Sequence, residues 1–411
     1  MGYTLVQYRT KSLYNIMEEE RKKMFRTLIV VSFLSTILVF NSSVFAGEGI
    51  PLGEDKRLRP YGEVKLQYDD NIFLSSGNEE SDFIVTLTPG TELEWGLNEN
   101  ALLTFDYHAD ISTFMDNSTQ DGTNHYLSGI LDLDFNDFSV SVYDKFARVF
   151  ERPSTEDTDR VKRQDNRIGV RTKFQKERFG IELGYENFNR DYEDAAYNPF
   201  DRTEHIYSAM LTHQTFEKTK LLLEYDYTDI VYDSATRSDA KYYQFLVGAI
   251  GELTPKTEAT IKTGMQWGDY QQGDDPDFDE WVVYADLIHK FSEKNSVKLS
   301  GRRLAQESTY ATNNYYLTEN VSATFDHFFT PKLLGFVTGL AQINSYPRET
   351  TEGTETKERE DNYSSLGAGL RYYMKKWFTV TLKADHIVRD SNFSTFDYDQ
   401  NLVTLTARAE F

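Results

Sequence analysis

The chain has 411 residues, a formal net charge of −22, 39% hydrophobic and 14% aromatic residues, seven His and no Cys. A field of that sign repels polyphosphate and speaks against nucleic-acid binding, while the lack of Cys excludes thiol nucleophiles, iron–sulfur clusters, Cys-ligated zinc and disulfides. A composition rich in Tyr, Phe, Thr and Asp, with only 9 Pro, favours strands joined by polar turns.

The apolar run Leu28 to Phe40 follows Lys22, Lys23 and Arg26 and precedes small residues ending at Ala46. It is short for a bilayer span, and a basic segment, short apolar core and small residues before a cut describe a secretory signal, here residues 1–46 with Met24 as a plausible start. The alternative is an uncleaved N-terminal anchor. Residues 47–59 then read as a short periplasmic segment before a barrel over 60–411. No later run approaches the length of a membrane helix.

Downstream, hydrophobicity is distributed by alternation. Leu103, Phe105, Tyr107, Ala109 and Ile111 alternate with Thr104, Asp106, His108 and Asp110, a period of two that gives a strand one greasy and one polar face. The pattern recurs at Phe83-Val85-Leu87, Phe138-Val140-Val142, Phe378-Val380-Leu382 and Val403-Leu405-Ala407. About eighteen such segments are predicted, within a range of sixteen to twenty. They begin near Tyr61, Ser81, Ala101, Thr123, Phe138, Asn166, Phe179, Thr203, Thr219, Lys241, Thr257, Phe278, Ser296, Asn314, Leu333, Asn362, Trp377 and Tyr398.

The predicted connections alternate between short turns, such as Asn136-Asp137 and Glu217-Lys218, and longer acidic loops, such as Glu151 to Asp165, Asp191 to Asp201 and Pro347 to Asp361. Aromatics gather at the short turns: Trp95, Phe135, Phe138, Phe174, Phe179, Phe216, Phe291, Phe328, Phe329, Trp377 and Phe378. Short turns at one end, loops at the other, an even strand number and an aromatic girdle predict an all-β transmembrane antiparallel barrel with periplasmic turns and extracellular loops. The rival is a secreted β protein that buries its apolar face against another sheet. A phase slip is expected around Phe188 and Tyr192.

Parity then assigns an inner wall. Its charged members include Glu63, Lys65, Glu92, Glu94, Asp106, Asp110, Asp132, Lys145, Arg171, Lys173, Asp286, Arg302, Arg371, Lys383 and Arg408, joined by Tyr126, Tyr143 and Tyr284. Drying so many charges would be costly, which argues for a watery lumen; for any one of them a structural ion pair is the simpler role, and the tyrosines offer stacking faces for sugar rings or plain barrel packing. Five carboxylates between Gly273 and Glu280 are able to bind Ca²⁺, although they lack EF-hand spacing and a solvated acidic loop is the preferred reading. His108 beside Asp106 and Asp110 is the densest catalytic candidate, but no Ser or metal motif accompanies it. No enzyme activity, cofactor or metal is expected.

The opening strand carries Tyr68-Asp69-Asp70-Asn71-Ile72-Phe73, followed by Ser81-Asp82 and then Pro89-Gly90. These residues resemble the start of the second of the putative beta-barrel porin families. Membership implies an outer-membrane barrel often associated with exopolysaccharide or capsule export, including the EpsL-like proteins, with no catalytic residues carried over. Read from the residues alone, Asp69, Asp70 and Asn71 are turn formers at the rim, and Pro89 marks a bulge or bend. The expected function is therefore a channel for export of a polysaccharide. The alternatives are a general or solute-specific diffusion porin and a non-conducting structural or adhesive barrel. Expected partners are outer-membrane lipid, periplasmic export machinery with its polysaccharide chain, and the barrel-assembly machinery acting on the strand that ends at Phe411.

Overall fold

The computed structural model describes residues 47–271, 277–310 and 313–411; the predicted secretory signal lies outside them. A two-residue strand β1 (Ile50–Pro51) precedes the long strands β2 (Lys56–Asp69), β3 (Asp82–Asn98), β4 (Ala101–Phe114), β5 (Gly122–Phe135), β6 (Phe138–Glu151), β7 (Val161–Lys176), β8 (Phe179–Tyr192) and β9 (Arg202–Phe216). The chain continues with β10 (Thr219–Tyr232), β11 (Ala240–Thr254), β12 (Thr257–Tyr270), β13 (Phe278–Lys290), β14 (Asn295–Glu307), β15 (Tyr315–Thr330), β16 (Leu333–Glu352), β17 (Glu355–Lys375), β18 (Phe378–Ser391) and β19 (Tyr398–Glu410). From β2 onward each strand pairs antiparallel with its chain neighbours, and β19 returns to β2, so eighteen strands close into one ring.

Closure follows from the alternation. A sheet with one apolar and one polar face must cover the first and hydrate the second, and a ring does so without leaving an edge. Residues opposite one another in a ladder share a face, so the register carries each face round the ring. Leu66, Leu405 and Leu382 lie side by side on the outside, and exposed apolar residues such as Leu183, Leu211, Val321 and Leu366 continue that belt. Rings mark its ends. Exposed Phe135, Phe138, Phe179, Phe216, Phe291 and Phe329 sit by the short turns, and Tyr185, Tyr207, Tyr227 and Tyr243 stand in a row nearer the loops with centroids 5.1 to 5.9 Å apart. Among the described residues no helix is long and apolar enough to cross a membrane, so the strands provide the apolar surface.

Several boundaries differ from expectation. The first barrel strand starts at Lys56, so residues 56–59 belong to the wall and, among the described residues, 47–55 precede it, with Ile50 and Pro51 folded back onto Leu58 and Arg57. The segment Pro347 to Asp361 is not a loop: β16 and β17 continue as a hairpin to Glu352↔Glu355 and turn at Gly353, whose φ of 61° suits glycine. This extension is polar on both faces, with Thr351 and Thr356 hydroxyls 2.9 Å apart, so it carries no alternation to detect. The expected slip near Phe188 is also absent. The β7–β8 register runs unbroken from Lys176↔Phe179 to Arg163↔Tyr192, and Phe188 takes an inward position covered by the Arg167 guanidinium, 3.9 Å from its ring centre. At Pro89 the β3–β4 ladder omits the rungs of Thr88 and Pro89 between Leu87↔Ile111 and Gly90↔His108 without a change of register, so the proline, which has no N–H to give, interrupts the ladder without a bulge, and Gly90 lets the Tyr61 ring lie against the backbone.

Candidate functional site

The inner wall is charged, acidic on one arc and mixed on the next. On β3 to β5 the inward residues include Glu92, Glu94, Asp106, Asp110 and Asp132, whereas β6 to β8 present Lys145, Arg163, Arg167, Arg171, Lys173 and Arg190 together with Asp165, Glu182 and Glu186. The unmixed acidic arc sets up a field in the bore, which the low-dielectric wall focuses.

Local bonds hold these side chains in place. Arg59 joins Glu92 and Glu94, Arg408 lies 3.8 Å from Glu63 and 3.6 Å from Glu410, and Lys65 sits between Thr86 and Thr406. Asp106 accepts from the Tyr61 hydroxyl at 3.1 Å and contacts His108 Nδ1 at 3.1 Å. Asp110 is held instead by Thr88 at 2.5 Å, so the His108 cluster divides and forms no relay to a nucleophile. Tyr126 stacks on His108 at 4.7 Å and donates to Glu151 at 3.0 Å, Ser141 donates to Asp132 at 2.6 Å, and Arg171 pairs with Glu182 at 3.2 Å. Asp286 binds Arg302 at 2.5 Å, Lys383 binds Asp385 at 2.7 Å, and Arg371 donates to Thr381 at 3.2 Å. Tyr143 donates to Glu186 at 2.9 Å and Tyr284 to Gln244 at 2.8 Å. Among the described residues no carboxylate lies within ion-pair distance of Lys145 or Lys173, although Lys145 stands over the Tyr143 ring. Among the described residues no group of three or more His, Asp or Glu is placed to hold a metal; Gly273 to Pro276 of the acidic loop lie outside them.

The dominant feature of the lumen is one that the sequence did not disclose. The connection 152–160 leaves the wall between β6 and β7 and is anchored nearly half-way round the ring, on β16 and β18. Arg389 of β18 donates to the Thr155 carbonyl at 2.8 Å, and Asn344 of β16 to the Thr155 hydroxyl at 3.1 Å. Glu156, only 5% exposed, accepts from the Ser308 hydroxyl at 2.6 Å and the Thr309 N–H at 3.0 Å, and Asp157 accepts from the Thr309 hydroxyl at 2.7 Å. At its base Arg152 donates to the Ile72 carbonyl at 2.8 Å and Arg160 to the same oxygen at 3.3 Å. A chain tied to opposite walls must cross the bore and narrow it.

Burial pushes the Glu156 and Asp157 carboxyls above the usual carboxylate range, against the hydrogen bonds from Ser308 and Thr309. Burial, helped by Arg160, pushes Arg152 down to about 10. Because the docked carboxyls hold their protons more tightly than free ones, docking is strongest below the ordinary carboxylate range and loosens as pH rises through the raised values. Exchange protection of 152–160, relative to the intrinsic amide rate, is accordingly expected to rise as pH falls from neutrality towards the ordinary carboxylate range, and Glu156→Gln to weaken that dependence. An unchanged slope in the variant would remove Glu156 as its source.

The opening motif forms a clasp between the first and last strands and a seat for this loop. Asp69 accepts from the Asn71 N–H at 3.0 Å and the Gln400 amide at 2.9 Å; Asp70 accepts from the Asn401 N–H at 2.6 Å. Asn71, fully buried, donates to the carbonyls of Ser75 and Asp399, both at 2.9 Å. Ile72 packs with Ile84, Phe114 and Phe73, and Tyr68 meets Phe83 outside at 5.0 Å. Asp82, next to Ser81, collects the N–H groups of Met115, Asp116 and Asn117. Each of these motif residues is thus tied into the rim.

A closed, lipid-belted antiparallel ring around a charged, loop-crossed lumen defines a porin-like barrel of the outer membrane. The chain belongs to the family described as Putative beta-barrel porin 2, whose model matches residues 45–411. A comparison with curated proteins finds no match. Among solved structures, the chain is similar to OccAB3 of Acinetobacter baumannii, with a TM-score of 0.50, 10% identity and coverage of 87% of this chain and 99% of that one. It is likewise similar to OccK2 (OpdF) of Pseudomonas aeruginosa, with a TM-score of 0.50, 12% identity and coverage of 87% and 98%. The outer membrane protein opdK of P. aeruginosa gives a TM-score of 0.47 at 11% identity, with coverage of 86% and 99%. At such identities the likeness concerns the fold.

Proposed function

We propose that the protein is a diffusion channel: a passive, water-filled pore for small charged solutes, sized by the 152–160 crossing. The observation that carries this reading is the loop fixed to Arg389, Asn344 and Ser308 on the far side of the lumen. A porin-like family and an inner wall lined by charges of both signs support it. Polysaccharide export, which the resemblance implies, draws no support from the family match or the structures compared, and a chain tied across the bore suits short solutes better than a polymer.

The test is single-channel conductance of the purified protein in planar bilayers without any partner. The expected result is steady conductance, rising severalfold when Pro153 to Asp159 are replaced by a short Gly-Ser link. Equal conductance with and without the loop would overturn its role as the constriction. A silent bilayer would overturn the channel reading in favour of a structural barrel.

A further inference from the structure

The barrel wall is not zipped along its full height. The β13–β14 register runs from Lys290↔Ser296 only as far as Val283↔Arg303, although β13 continues to Phe278 and β14 to Glu307. On their other sides both strands stay paired to their loop ends, at Gly268↔Phe278 and Glu307↔Tyr315. Residues 278–282 and 304–307 therefore face each other as two open edges in the upper part of the wall. Tyr243 pairs with Trp267 and Trp267 with Asp279, so the split opens at the level of the outer aromatic row, and the edge groups that reach below it into the bilayer have no water to turn to.

Two side chains take the place of the missing rungs. From the lumen side Gln266 of β12, only 6% exposed, accepts from the Ala305 N–H at 2.9 Å and donates to the Ala305 carbonyl at 3.3 Å. From the lipid side Arg303 donates to the Trp281 carbonyl, pairs with Glu280 at 2.9 Å and Glu319 at 2.7 Å, and lies over the Trp281 ring at 4.3 Å. Such latches release by side-chain rotation, whereas a ladder must be broken rung by rung.

The surfaces on either side of the split are largely apolar. Outside, a groove of about 720 Å³ is lined by Trp281, Val283, Val321, Ala341 and Ile343, with Arg303, Glu319 and Asp390 as its polar margin; its apolar part is continuous with the outward belt. Inside, Ile230, Tyr242, Phe278, Ala305 and Tyr315 form a buried cluster. We propose that the β13–β14 split is a lateral gate that admits a single-chain amphiphile from the outer leaflet, its acyl tail passing from the Trp281 groove to the Phe278 cluster. This route is separate from axial diffusion of polar solutes.

The absence of native Cys makes the test direct. Val282→Cys with Leu304→Cys places two thiols at the next rung beyond Val283↔Arg303. In proteoliposomes carrying a dansyl-labelled undecanoate probe, the oxidised pair is expected to lower probe binding at least tenfold and reductant to restore it, with ionic conductance unchanged. Arg303→Met, which removes the outer latch, is expected to raise probe binding. Equal binding by the oxidised and reduced pair overturns the proposal. If the thiols do not join, Ala341→Phe fills the groove instead, with conductance confirming a folded barrel, and undiminished binding then overturns it. A photoreactive residue at Val321 is expected to label lipid; labelling of a second barrel copy would make the groove a protein interface and sink the gate. A conductance of zero in the parent would refute the diffusion-channel reading while leaving the probe result standing.

Discussion

Leu405→Arg is expected to block membrane assembly, while Thr404→Arg, one residue away, is tolerated. Leu405 faces outward between Leu66 and Leu382, and Thr404 faces inward between Gln67 and Lys383. An Arg on the lipid face of a strand costs about 2–4 kcal/mol at the bilayer midplane, whereas a lumen position keeps the guanidinium in water. The folded fraction, read by heat-modifiable migration and by urea titration in lipid, should fall sharply for the first variant only. Equal tolerance at both positions would reverse the assignment of faces.

Asp361→Leu is expected to melt the extracellular part of the β16–β17 hairpin. The Arg359 and Asp361 side chains are 0% and 1% exposed and form an ion pair, and Arg359 lies over the Phe396 ring at 3.7 Å and the Tyr346 ring at 4.7 Å. Removing one partner of a buried pair leaves an uncompensated charge and costs about 3–5 kcal/mol, whereas replacing both with apolar groups of similar volume is close to neutral. Hydrogen exchange over 346–361 should rise steeply in Asp361→Leu and return towards the parent in Arg359→Met/Asp361→Leu. A double variant as exposed as the single one would show that the pair matters for its shape and not for its charge.

The strands were legible because alternation is a local signal. Phe179, Ile181 and Leu183 against Glu182 declare two faces without reference to any partner, and Asn136-Asp137 and Glu217-Lys218 mark turns by their own chemistry. The candidate lumen residues came from the same parity, and in the ladders Asp106 stands beside Glu92 and Ser128, Lys145 beside Ser128 and Arg167, and Arg302 beside Tyr284 and Asn320. The crossing loop was not legible, since its anchors Ser308, Thr309 and Arg389 lie more than 150 residues away in sequence and its own composition reads as a solvated acidic loop. Phe188 misled for a related reason: an inward aromatic covered by Arg167 looks like a slipped phase when the arginine's position is unknown. The β13–β14 split was equally hidden, because whether an edge is paired depends on the register of the neighbouring strand and leaves no mark in Phe278 to Val282 themselves.

The clasp of the opening motif also has a bearing on how the chain is made. Asp69 and Asp70 meet Gln400 and Asn401 across 331 positions of sequence, and the strand that carries the second pair is the last of the ring in chain order. Every other ladder joins strands that follow one another, so hairpins can form at once with little loop entropy to overcome, whereas ring closure must wait for the C-terminal strand and bears the largest loop-closing cost in the molecule. Until then β2 and the growing end each present an unpaired edge, the surface through which strands of different chains join. Aggregation and completion therefore compete for the same pair of edges, and the buried Asn71 side chain, bonded to the Asp399 carbonyl, registers which of the two has won.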